Sequence, residues 1–179
     1  MTLGTRSMPQ RLTIGAALIG LSILLTACGF QLRGSTGTTA ALPENWKTMY
    51  LVTGNPNSEF TRAVRTVFVA NGITWADRDD ANFMLKLGPE RFTRTNLSLN
   101  QEARVSQLEL TMRSTFSVVA ENGDIAMPEN MATVTRRMDN DPRNEQGMGE
   151  EVRILQVEMR NELAQQIIRR IGFFATAES

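Results

Sequence analysis

Apolar and polar positions divide this chain into an apolar leader, a short stretch without pattern, and a succession of strand-like and helix-like segments. From Leu12 to Leu25 only Thr13, Gly15, Gly20 and Ser22 interrupt the apolar run. Further along, Thr48-Met49-Tyr50-Leu51-Val52 is rich in strand formers and is stopped by Gly54-Asn55-Pro56, which predicts a first strand. Ser58 then offers an N-cap hydroxyl. Phe60, Val64, Val67 and Phe68 follow at helical spacing, with Glu59, Arg62, Arg65 and Thr66 on the other side and Asn71-Gly72 as a left-handed stop.

After Ile73-Thr74-Trp75 and an acidic turn at Asp77–Asp80, Phe83, Leu85 and Leu87 alternate with Met84, Lys86 and Gly88, predicting a second strand. Gly88-Pro89 implies a bulge or an edge, and strand character resumes through Arg91–Thr95 before a polar turn from Asn96 to Ala103. The clearest alternation is the third strand. Leu108, Leu110, Met112, Phe116 and Val118 face one way, while Gln107, Glu109, Thr111, Arg113, Thr115 and Ser117 face the other. One face therefore meets a core and the other meets water or a polar partner. Asn122-Gly123 predicts a turn, Pro128 limits pairing in the loop, and Met131–Met138 reads as a fourth strand antiparallel to the third. A loop over Asp139–Gly149 leads to a long helix. Val152, Leu155, Met159, Leu163, Ile167 and Ile171 form its stripe, flanked by Ile154, Val157 and Ile168, and Gly172 is placed to stop it. The order strand, helix, three strands, helix predicts a two-layer α/β sandwich: a four-stranded mixed sheet with two helices on one face.

The leader changes this picture. Its apolar run is shorter than the roughly 20 residues of a spanning helix, follows Arg6 and Arg11, and ends in Leu25-Thr26-Ala27 before Cys28, the chain's one cysteine. That pattern marks an export signal over residues 1–27. It makes Cys28 the first mature residue, carrying an S-diacylglycerol and an N-palmitoyl group. An ordinary signal peptide with an incidental Cys, or a short anchor, is the alternative. Gly29 stands where an Asp would resemble an inner-membrane retention signal, which points to the outer membrane. Small polar residues in Gly34–Leu42 suit a tether. The expected organisation is a lipidated N-terminus and tether at 28–42, an α/β domain at 43–174 and a tail at 175–179.

Charge and composition exclude several functions. Nineteen basic and nineteen acidic residues balance, and cleavage before Cys28 removes only Arg6 and Arg11, so the mature chain is slightly acidic and makes no electrostatic case for nucleic acid. The chain has no histidine, hence no histidine triad or histidine metal site, and a single lipidated cysteine makes no disulfide. Neither a phosphate loop nor a Gly-x-Ser-x-Gly elbow is present. Asp79-Asp80 and Glu150-Glu151 read as a solvated loop and a helix first turn. No catalytic residue, metal or cofactor is expected.

In order along the chain, Cys28-Gly29-Phe30-Gln31-Leu32-Arg33, Pro56-Asn57 with Thr61–Arg65, Asn71-Gly72, Leu85–Gly88, Leu110-Thr111 and the run Glu158–Ile171 resemble the LptE family of lipopolysaccharide-assembly lipoproteins. The resemblance covers nearly the whole mature chain. It implies a subunit that plugs an LptD-type outer-membrane β-barrel, assists the barrel's assembly and binds lipopolysaccharide during insertion at the cell surface. The bilayer is a further partner, through the acyl chains on Cys28, with the domain on the periplasmic side and within the barrel lumen. Phosphorylated sugar lipids call for clustered cations, Arg above all. Arg91 and Arg94, Arg104, Arg113, and Arg136 with Arg137 are therefore the candidate lipopolysaccharide or barrel contacts. A free-standing periplasmic lipoprotein carrying an amphiphile is the competing reading, and a lipid-anchored hydrolase a third.

Overall fold

In a computed structural model, the described residues are 42–99, 105–140 and 145–177. The signal segment, Cys28, the tether up to Ala41 and Arg104 lie outside them, and Leu42, expected to end the tether, is buried in the core. In chain order the elements are β1 (Thr48–Thr53), α1 (Glu59–Ala70), β2 (Thr74–Trp75), β3 (Phe83–Leu87), β4 (Arg91–Leu99), β5 (Val105–Ala120), β6 (Ile125–Asp139) and α2 (Glu145–Ala177). Ser58 caps α1 by accepting from the Thr61 N–H at 3.0 Å, and Gly72 ends that helix at φ +87°.

The two-layer α/β class holds, but the sheet has six strands rather than the expected four. β2 is two residues long and pairs in parallel with β1, Thr48 beside Thr74 and Met49 beside Trp75. It is held there by Trp75, whose ring stacks on Phe68 at 5.5 Å and whose Nε1 donates to the Arg65 carbonyl. β4 is a full strand whose sequence does not alternate. β6 begins at Ile125, earlier than Met131, and takes in Pro128 where its register with β5 shifts. A bulge accommodates the missing N–H there.

β5 organises the sheet. Its C-terminal half pairs antiparallel with β3 (Leu85 beside Val118, Leu87 beside Phe116), its N-terminal half with β4 (Arg91 beside Arg113, Thr95 beside Glu109), and its other edge with β6 along nearly its full length. β3 and β4 thus lie end to end on one side of β5, separated by Gly88-Pro89-Glu90. The Gly88 N–H donates to the Thr115 carbonyl at 2.8 Å and the Ser114 hydroxyl donates to the Gly88 carbonyl at 2.9 Å. A Cβ at Gly88 would stand 2.5 Å from the Thr115 Oγ1, so any other residue there forces Thr115 to shift. β1 runs parallel to β3, as the βαβ crossover through α1 requires.

Both helices cover the same sheet face. Phe60, Val64 and Phe68 of α1 and Val152, Met159, Leu163, Ile167 and Ile171 of α2 join Met49, Leu51, Leu85, Leu110, Met112, Phe116 and Val118 in one buried core. α2 is 33 residues long, about 50 Å at 1.5 Å per residue. It runs through Gly172, the expected stop, to Ala177. Ala175 is buried and Phe174 packs on the core beyond the glycine, and burying that extra turn outweighs glycine's helix penalty of about 1 kcal/mol.

Candidate functional site

Opposite the helices the sheet is open, and its surface has two parts. Towards β1, Tyr50, Met84, Val119 and Ile125 stand in register across four strands and form an apolar end. The remainder is polar. Thr93, Thr111 and Thr135 sit side by side across β4, β5 and β6, and next to them lie Arg91, Arg113 and Thr133 on one side and Thr95, Glu109 and Arg137 on the other. Threonine satisfies both demands of such a face, its branched Cβ fitting the pleat and its hydroxyl facing solvent.

The register divides the candidate arginines. Arg91 and Arg113 are directly opposite one another on the open face, and Arg137 shares that face, 3.6 Å from Glu109. Arg94 and Arg136 lie on the helix side, flanking buried Leu110. Arg94 stands 5.6 Å over the Phe92 ring, and Arg136 is paired with Glu162 of α2. Arg136 and Arg137, neighbours in sequence, therefore do not act together, because successive strand residues point to opposite faces. Arg91 and Arg113 converge instead on a cleft of about 280 Å³ that also meets Pro89, Ser114, Thr115 and Met131.

Two further polar constructions were not legible as site features in the sequence. Glu162, Gln166 and Arg170 recur every fourth residue on α2 and run along the free edge of β6. Glu162 pairs with Arg136, Gln166 Oε1 accepts from the Thr133 N–H at 2.8 Å, and Arg170 donates to the Met131 carbonyl and the Asn130 side chain. Side chains thereby occupy backbone groups that an added strand would use. The second is Arg160, whose guanidinium grips Glu90 with two bonds of 2.8 and 3.1 Å and also reaches Glu59. It joins α2 to the β3–β4 interruption and to the start of α1, at the rim of a cleft of about 520 Å³. Burial opposes the Arg160 charge, but the hydrogen bonds to Glu90 and the charges of Glu90 and Glu59 outweigh it and hold the guanidinium above its ordinary pKa. A charge beside an apolar helix stripe is the sequence signal for such a partner.

Fold and surface define a class: a small two-layer α/β domain with one face closed by helices and the other offered as a mostly polar interaction surface. Residues 46–171 match the family model described as LptE, Lipopolysaccharide-assembly. The LPS-assembly lipoprotein LptE of Pectobacterium atrosepticum is 30% identical over 158 residues, covering 86% of this chain and 82% of that protein. Its counterpart from Photorhabdus laumondii is 27% identical over 163 residues, covering 90% and 86%. Among solved structures, rare lipoprotein B from Shewanella oneidensis aligns with a TM-score of 0.61 at 26% identity, over 73% of this chain and 96% of that one. Lipoprotein B from Nitrosomonas europaea shares the fold, with a TM-score of 0.65 over 83% of this chain and 94% of that one at 19% identity. The chain belongs to the LptE lipopolysaccharide-assembly family, which is not a known enzyme family.

Proposed function

We propose that this chain is the lipid-anchored subunit of an outer-membrane lipopolysaccharide translocon. Acyl chains on Cys28 hold it at the periplasmic leaflet. The domain seats in the lumen of an LptD-type β-barrel, helps that barrel assemble, and contacts lipopolysaccharide during insertion. The observation that carries this reading is the family match over residues 46–171 on a fold whose open face is mostly polar. Wide outer-membrane barrels have polar interiors, and a threonine- and arginine-lined sheet suits such a wall better than an apolar patch does. Two or three acyl chains, at about 0.8 kcal/mol per buried CH₂, suffice for durable attachment.

Extraction of the full-length chain in mild detergent, with affinity capture and identification of the dominant partner, tests this. A β-barrel protein recovered in stoichiometric amount is the expected result. Recovery of the chain alone with a small amphiphile bound would replace the translocon reading with that of a free-standing carrier.

A further inference from the structure

We propose that Arg91 and Arg113 form a phosphate-binding site in the middle of the open sheet face, taking a phosphate monoester or diphosphate group in the cleft beside the β3–β4 interruption. The two arginines are cross-strand partners in the β4–β5 ladder, which places their Cβ atoms about 4.5–5.5 Å apart. Like charges directly opposite each other destabilise a sheet, yet among the described residues neither guanidinium has an ion pair or a hydrogen bond. The neighbouring carboxylates are engaged elsewhere: Glu90 turns away to Arg160, and Glu109, four residues along β5 and so about 13 Å distant, faces Arg137.

The cleft is a product of the fold. Gly88-Pro89-Glu90 interrupts the strand beside Ser114 and Thr115 and opens about 280 Å³ whose lining includes both arginines. Ser114 Oγ is bound to the Gly88 carbonyl, and Pro89 has no N–H to donate. The guanidinium forks and the Thr115 hydroxyl are left as the donors. Two planar forks lining one cleft match the oxygens of a phosphate better than single-point ammonium groups would. A dianion there converts a repulsive pair into a bridged one. The site stands on this geometry; that its phosphate belongs to lipopolysaccharide rests on the function proposed above.

The test titrates inorganic pyrophosphate into the full-length chain in neutral detergent and follows arginine Nε–H resonances by NMR. Saturable shifts at Arg91 and Arg113 are expected. Arg91→Gln and Arg113→Gln should each weaken binding tenfold or more, while Arg94→Gln, on the helix side, leaves it unchanged. Without anion, Arg113→Gln should melt no lower than the parent, which separates lost binding from lost fold. Equal pyrophosphate affinity in the parent and both variants would overturn the site.

A second arm competes pyrophosphate with lipopolysaccharide micelles, intact or stripped of phosphate. Competition by the intact form alone assigns the phosphate to the lipid. Lipopolysaccharide binding that is unchanged in variants unable to hold pyrophosphate keeps the anion site and rejects lipopolysaccharide as its source. Barrel capture by the same variants is scored separately, so failure of the site and failure of the translocon reading give different results.

Discussion

Replacing Arg160 with Met strands Glu90 in a place built for a cation. The two side chains retain only 14% and 18% exposure and are joined by two bonds. Removing one partner of a buried pair costs about 3–5 kcal/mol, mainly because the other charge is left unpaired. The residual exposure favours the lower end, about 3 kcal/mol, and for a domain of this size that lowers the melting temperature by roughly 6–12 °C. Glu59 is different: 62% of its side chain is exposed, so Glu59→Gln should cost under about 1 kcal/mol. Urea denaturation of Arg160→Met, Glu90→Gln and the double variant measures this, with the double variant costing less than the sum of the singles. The reasoning is refuted if Arg160→Met loses less than about 1 kcal/mol, or if Glu59→Gln and Glu90→Gln prove equally damaging.

Gly88→Ala should destabilise by about 1–3 kcal/mol, and Thr115→Ala in the same chain should recover part of the loss in denaturant melts by removing the obstructing hydroxyl. Gln166→Ala with Arg170→Ala should uncover the β6 edge and produce concentration-dependent association, read by light scattering; a variant as monodisperse as its parent would contradict the sealing role. Hydrogen bonds from Arg153 hold the Glu150 carboxyl below its usual range. Its contribution is therefore present above the ordinary carboxylate pKa and lost as pH falls through the lowered value; Arg153→Ala should move the Glu150 titration upward by NMR. Cys28→Ala should leave an unprocessed precursor at the inner membrane, seen as a larger band on fractionation, and normal processing would refute the lipidation assignment.

Legibility in the sequence followed the reach of each pattern. β5 was readable because eleven of its residues, Gln107 to Ser117, alternate between a buried and an open face. β2 was not, since two residues carry no period, and tertiary contacts through Trp75 put it in the sheet. β4 was legible only in part, as strand character through Arg91–Thr95: polar residues on both faces, with Arg91 and Arg94 on opposite sides, hid its extent, and pairing with β5 carries it through the expected turn to Leu99. Gly172 signalled a stop that packing of Phe174 and Ala175 overrode. The basic site was the least legible part. Adjacency drew attention to Arg136 with Arg137, which the pleat separates, while Arg91 and Arg113, far apart in sequence, meet only through register.

β5 touches β3, β4 and β6, so three partnerships refer to one strand that lies past the middle of the chain. A polypeptide delivered N-terminus first cannot join β3 and β4 through β5 until about residue 120 has arrived, nor complete the sheet until β6 ends at Asp139. Until then β4 has no partner in the sheet and β3 has only β1. The slip of a single position on β5 would turn Met112 outward and Arg113 inward and misalign all three pairings at once. Late arrival and triple pairing together make this strand the place where errors of maturation concentrate, and where a folding helper would have most to protect.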